Sequence, residues 1–240
     1  FRNDHWHIAK VISKKSNSIK LSIIDSEKII NLNKDINLYG PQKVSPSAYL
    51  NLNDYLFVTN IDSTFYAVQL HEINGSVIIM DPFNGDIVSM VGGVNYNISN
   101  FNRVTQAYRQ PGSSIKPFIY AQALETKKFL PNTNILDSSI LLDQGINLPV
   151  WVPKNYSNKS HGELTFRRAL ETSNNLVTLK IGLDLGLKSV NEFLDKINFY
   201  NDNINTDVYS TLLGAVENNL INLAKSYAIF LNGGYIVEPS

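Results

Sequence analysis

The sequence predicts an α+β protein in which a small all-β unit precedes a larger unit whose helices come late. Two observations carry this. Residues 6 to 72 are short β-branched and aromatic runs separated by Ser, Asn, Asp or Pro, with no convincing helical period. From residue 113 the apolar spacing changes to a helical one. Strand-like and helix-like runs are grouped and do not strictly alternate, which argues against a doubly wound sheet.

Taken in order, "WHIAKVI" (6–12), "SIKLSII" (18–24), "KIINL" (28–32), "YLFVTNI" (55–61) and "TFYAVQL" (64–70) read as five strands of a small β-barrel or sandwich. "SVIIM" (76–80) and "DIVSMVGG" (86–93) flank Asp81-Pro82-Phe83-Asn84-Gly85 and read as a hairpin. Helices are expected over "IKPFIYAQALETKK" (115–128), "ELTFRRALET" (163–172), "NNLVTLKIGLDLG" (174–186), "LKSVNEFLDKINF" (187–199) and "INLAKSYAIFLNGG" (221–234), with Gly186 and Gly233 as closing caps. The domain boundary is expected near His71-Glu72-Ile73-Asn74-Gly75, giving a β domain over 1–72 and a second domain over 73–240.

Composition excludes several classes. The 240 residues are 43% hydrophobic and 18% charged, enough to bury a real core. With 21 basic and 21 acidic residues and no basic stripe, a nucleic-acid partner has no electrostatic footprint. The absence of cysteine removes disulfides, thiolate metal sites and a cysteine nucleophile. Apolar runs such as Val77 to Met80 are far too short to span a bilayer. Phe1-Arg2-Asn3-Asp4 has no signal-peptide pattern and reads as a cut into a longer polypeptide. His5-x-His7 fits a surface pair on a strand better than a metal site, and "GGVNYN" lacks the spacing of a phosphate loop.

The stretch "YRQPGSSIKPFIYAQALE" (108–125) raises a chemical question, because Lys116 lies at the start of a helix and opposes the positive end of its dipole. Ser113 and Lys116 are at i and i+3, so hydroxyl and amine can come within hydrogen-bond reach. A serine needs a base to become a nucleophile, and a buried lysine at a helix start is pushed towards its neutral, basic form. The free N–H groups of the same turn are donors for an oxyanion. A plainer reading makes Ser113 or Ser114 an N-cap and Lys116 a solvated surface residue. Pro117 biases Lys116 away from α geometry, so a tight first turn is expected. Further on, Ser173-Asn174-Asn175 in "ALETSNNLVTLKI" links two helical stretches, either as a capping cluster or with Ser173 and Asn175 open to a cleft.

Ser-x-x-Lys followed by Ser-x-Asn opens the motif set of penicillin-binding proteins and serine β-lactamases. "NGSVIIMDPFNGDIVSMVGGVNYNISNFNRVTQAYRQPGSSIKPFIYAQALE", "WVPKNYSNKSHGELTFRRALETSNNLVTLKIG" and "LLGAVENNLINLAKSYAIFLNGGYIVEPS" resemble the transpeptidase region of bifunctional class A penicillin-binding proteins, the 1A type in particular. The resemblance covers about residues 73 to 240, and residues 1 to 72 resemble, less specifically, the OB-like domain that precedes it. It implies a penicillin-binding-protein/serine β-lactamase-like fold and peptidoglycan D,D-transpeptidation through a serine acyl-enzyme. It makes Ser113 the nucleophile, Lys116 its base, Ser173 a proton relay and Asn175 a substrate-binding amide. It implies stem peptides ending in D-Ala-D-Ala as substrate, β-lactams as acylating mimics, and no metal or organic cofactor. A membrane anchor, a glycosyltransferase domain and a place at the periplasmic face of the bacterial inner membrane also follow from it.

The family's third motif, Lys followed by Thr-Gly or Ser-Gly, has no match at Lys15, Lys159, Lys188 or Lys225, and is expected beyond Ser240. The 240 residues alone should therefore hold an incomplete site. Two rivals remain in view: a serine β-lactamase, for which Glu163 and Glu171 are the nearby carboxylates, both read as helix-surface residues, and an inactive binding or scaffold module.

Overall fold

The computed structural model describes residues 6–15, 18–38, 44–69, 73–96, 99–145, 149–200 and 208–240. His5, Leu70, His71 and Glu72 lie outside them. The chain divides into two compact units, Phe1–Asn74 and Gly75–Ser240.

In the first unit, alternation of apolar and polar residues produces strands with one buried face. β1 (His7–Lys15) turns Ala9 and Val11 inward, β2 (Ser18–Ile23) turns in Ile19, Leu21 and Ile23, and β3 (Ile29–Leu38) contributes Ile30 and Leu32. A short helix, α1 (Pro46–Tyr49), leads to Leu50, which is buried in the same core. β4 (Tyr55–Ile61) and β5 (Thr64–Val68) add Val58 and Ala67. Asp62 and Ser63 join them with φ of 48° and 66°, the paired positive values of a two-residue hairpin turn. The strands close into a barrel in the order β1-β2-β3-β5-β4, antiparallel except for the β3–β5 seam, where Leu32 pairs with Phe65. Of barrel and sandwich, the barrel is what forms.

In the second unit, β6 (Val77–Met80) and β7 (Ile87–Val91) form the expected hairpin. A 3₁₀ turn over Gly112–Ile115 then runs directly into α2 (Lys116–Glu125). This helix is apolar nearly all round and is the central element of the core, as such a pattern requires. Phe118 sits among the rings of Phe199, Tyr227 and Phe230, with centroids 4.9 to 5.1 Å away.

Two elements depart from expectation. Residues 162–165 form a strand and not the start of a helix: β8 (Asn134–Asp137) pairs with β9 (Gly162–Thr165). Thr165 is extended and its Oγ1 accepts the Arg168 N–H, so α3 (Phe166–Glu171) starts only after this cap. Next come α4 (Asn175–Leu185), closed by Gly186, then α5 (Leu187–Lys196) and a 3₁₀ turn at Tyr209–Leu213. The last helix, α6 (Leu220–Ala228), ends earlier than predicted. Its backbone tightens into i→i+3 turns at Phe230 and Leu231, and Gly233 belongs to the following turn.

Candidate active site

The N-terminus of α2 brings the site together. Lys116 is its first residue and takes α geometry, φ −56° and ψ −44°, against the bias imposed by Pro117. The preceding 3₁₀ turn holds it there, because its N–H bonds to Ser113 O, and the N–H that Pro117 lacks falls where no helical partner is needed. Its side chain is 1% exposed. The Nζ atom donates to Ser173 O at 2.6 Å, to Ser173 Oγ at 3.0 Å and to Asn175 Oδ1 at 2.6 Å. Burial lowers its pKa from 10.5 to about 8.

These contacts rule out a solvated lysine. They also divide the SNN segment by role. Asn174 is the cap of α4, its Oδ1 accepting the Val177 N–H at 2.9 Å. Ser173 sits in the left-handed region at φ 52°, exposed, with its hydroxyl on the lysine. Asn175 gives its carbonyl oxygen to Lys116 and its NH₂ to Lys154 O at 3.0 Å, leaving one N–H uncommitted.

Ser113 is exposed in the 3₁₀ turn, and no hydrogen bond reaches its hydroxyl among the described residues. The direct Ser113–Lys116 contact that the spacing allows is thus not made, because all three Nζ protons go to residues 173 and 175. Neither Ser113 nor Ser114 caps the helix through its side chain. The turn is instead clamped from outside: Tyr227 Oη donates to Ser114 O at 2.9 Å, and Gly112 N–H donates to Gly214 O at 3.1 Å. Gly214, at φ 76°, lies so close that a Cβ there would sit 2.2 Å from Gly112 O.

The arrangement is suited to moving protons. Of the three partners of Lys116, the Ser173 carbonyl and the Asn175 Oδ1 only accept, whereas the Ser173 hydroxyl accepts and donates. A neutral Lys116 can therefore exchange a proton with Ser173 and with no other present partner. Beneath the loop lies a group that sequence reasoning missed: Asp137, fully buried, bonded to Asn155, His161 and Asn174. Its partners are scattered along the chain, so no local pattern marks it.

The carboxylates weighed for a lactamase take no part. Glu163 is exposed on β9, a strand and not a helix surface, and Glu171 pairs with Arg168 at 3.1 Å. Among the described residues no group of three His, Cys, Asp or Glu side chains is placed to hold a metal. No helix among them is long and apolar enough to cross a membrane.

Residues 75–240 match the family model for the penicillin-binding protein transpeptidase domain. The chain belongs to the penicillin-binding protein transpeptidase family. Its relatives in that family include penicillin-binding protein 1A of Rickettsia felis, 35% identical over 234 residues, an alignment covering 98% of this chain and 29% of that protein. Penicillin-binding protein 1A of Neisseria flavescens is 38% identical over 176 residues, 73% of this chain and 22% of that one. The crystal structure of penicillin-binding protein 1A from Haemophilus influenzae superposes with a TM-score of 0.82 at 28% identity, covering 98% of this chain and 34% of that one. The chain thus spans less than a third of the length of the Rickettsia relative.

Proposed function

We propose that this chain is part of a peptidoglycan D,D-transpeptidase that cross-links stem peptides through a serine acyl-enzyme and is a target of penicillins. The observation that carries the reading is Lys116: a buried amine with a lowered pKa, bonded to Ser173 and Asn175 and one turn from an exposed serine.

The chemistry runs as follows. Ser113 Oγ attacks the carbonyl of the penultimate D-Ala, and its proton passes to neutral Lys116 Nζ as the amine turns from one of its present acceptors towards Ser113. The Ser113 N–H serves the developing oxyanion, since those of Gly112, Ser114 and Lys116 are already taken by Gly214 O, Pro111 O and Ser113 O. As the tetrahedral intermediate collapses, Ser173 gives its proton to the departing D-Ala nitrogen and takes one from Lys116. The uncommitted N–H of Asn175 holds the stem's backbone. An amine of a second stem then attacks the acyl-enzyme, its proton returns along the same groups, and Ser113 is released. Water in place of the amine makes the outcome a carboxypeptidation. A β-lactam acylates Ser113 because its strained amide stands where D-Ala-D-Ala would. No metal or organic cofactor enters.

The same reading extends to the rest of the protein. Residues 1–72 form an OB-like domain, supported by the five-stranded closed barrel in the order 1-2-3-5-4. Residues 73–240 are the first part of the transpeptidase domain, whose Lys-Thr/Ser-Gly strand comes from sequence beyond this stretch. The longer protein is a membrane-anchored, bifunctional synthase with a glycosyltransferase domain, working at the periplasmic face of the inner membrane, in keeping with the 29% span of its relative.

The test is intact-mass spectrometry of the full-length protein after incubation with benzylpenicillin. A persistent adduct, lost in Ser113→Ala, is the expected result. Rapid turnover of the adduct favours a lactamase, and no adduct at all overturns the reading.

A further inference from the structure

The SNN segment rests on a carboxylate that no step above uses. Asp137, the last residue of β8, accepts from Asn155 Nδ2 at 3.0 and 3.1 Å and from Asn174 Nδ2 at 2.9 Å. The His161 N–H donates to it at 2.8 Å, and His161 Nδ1 lies 2.9 Å away. Asn155 and Asn174 are themselves buried. An ionised carboxylate only accepts, so it draws the NH₂ end of both asparagines inward and leaves both Oδ1 atoms facing the start of α4. Asn155 Oδ1 takes the N–H of Asn175 at 2.9 Å and of Leu176 at 3.3 Å, while Asn174 Oδ1 takes that of Val177. Three orphan donors of a helix N-terminus are thus satisfied by two amides whose orientation one charge dictates. Burial pushes the Asp137 carboxyl up, and its hydrogen bonds from His161, Asn155 and Asn174 outweigh this, leaving it below the ordinary carboxylate range.

We propose that Asp137 is a positioning residue of the acylation site: its charge sets the amide orientation of Asn155 and Asn174, and through them the placement of Ser173 and Asn175 against Lys116. The proposal rests on the transpeptidase reading. In Asp137→Asn the remaining oxygen can keep accepting from Asn174 Nδ2 and the His161 N–H, but the new NH₂ then faces Asn155 Nδ2, and turning Asn155 to relieve the conflict aims its NH₂ at the N–H groups of Asn175 and Leu176. Asn174→Asp alone sets two carboxylates face to face. The double variant restores the pair with its polarity reversed. The new amide at 137 donates to the new carboxylate at 174, which still caps Val177, since Asp caps as well as Asn, while the His161 N–H, which shares that Asp137 oxygen, loses its acceptor.

The experiment measures acylation by a fluorescent penicillin at saturating concentration in the full-length protein, with circular dichroism to check folding. Each single variant is expected to lose on the order of a hundredfold, the effect of a small misplacement of reacting groups, and the double variant to regain part of it. His161→Ala spares both asparagine contacts and the backbone donor but removes one of the hydrogen bonds that keep the carboxyl ionised, so a loss smaller than that of Asp137→Asn is expected. A wild-type rate in Asp137→Asn overturns the proposal. So does a double variant no faster than the singles, or a His161→Ala loss as deep as that of Asp137→Asn. If Asp137→Asn does not fold, a folded and active double variant supports the proposal and an unfolded one refutes it. A wild type that is never labelled removes the transpeptidase reading and this inference together, whereas a labelled wild type with unaffected variants removes this inference alone.

Discussion

Replacing Lys116 by arginine keeps a positive charge at the start of α2 but removes a proton acceptor, since guanidinium stays protonated. The size of the effect follows from the burial of the amine. A lysine titrating at 10.5 leaves about one amine in three thousand neutral at pH 7, and one titrating near 8 leaves about one in ten. Burial therefore enlarges the pool of base about 300-fold, equivalent to about 3 kcal/mol. Sequence reasoning asked for an amine substantially neutral near pH 7, and the burial found here gives only that tenth. The acylation rate of the full-length protein should accordingly rise close to tenfold from pH 6 to 7 and level off above pH 8. Lys116→Arg should be at least about a hundredfold slower, the usual contribution of a positioned proton acceptor, and should lack the rise. The assay is fluorescent-penicillin labelling by quench flow across pH 6 to 9. Comparable rates for the two proteins, or a flat wild-type profile, would refute the assignment of Lys116 as base.

Ser113→Ala should abolish labelling with little change in melting temperature, because the hydroxyl is exposed and makes no hydrogen bond among the described residues; calorimetry beside the labelling gel checks both. Gly214→Ala should destabilise by at least about 2 kcal/mol in urea unfolding, from left-handed backbone strain plus the clash with Gly112 O, and should slow acylation by shifting the turn that carries Ser113. Lys116→Met tests linkage: the native pKa near 8 lies below the unfolded 10.5, so the unfolded chain binds more protons between these values and wild-type stability rises with pH across that window. The gain, up to about 3 kcal/mol, should be missing from the Met variant when urea midpoints at pH 7.5 and 10.5 are compared. Leu21→Ala, at a fully buried barrel position, should cost about 2 to 5 kcal/mol of barrel stability yet leave penicillin acylation unchanged if the two units are separate domains.

The parts of the fold that were legible are those written in local pattern. Alternation along "SIKLSII" placed Ile19, Leu21 and Ile23 on one buried face, and the Asn-Gly turn at residues 84–85 placed the β6–β7 hairpin. "ELTFRRALET" misled because its composition suits a helix throughout, whereas residues 162–165 are claimed by pairing with 134–137, a contact no local propensity can override. At the site, the Ser-x-x-Lys spacing singled out a lysine that is buried, but the contact it allows, between Ser113 and Lys116, is not among those the amine makes. Which atoms Lys116 reaches depends on a loop almost sixty residues on, and Asp137 is joined to residues 18, 24 and 37 positions away. Such a hub leaves no period or motif to read.

Lys116 finds its acceptors 57 and 59 residues further along the chain, and that distance has a consequence in time. At a synthesis rate of about 5 to 20 residues per second, roughly 3 to 12 seconds separate the emergence of the lysine from that of Ser173 and Asn175. During the interval the amine is hydrated and titrates near 10.4, so Ser113 has no base beside it. A chain that does not yet include residues 173 to 175 therefore carries a Ser113 with no neutral amine held beside it, and the cluster forms only when the later helix docks.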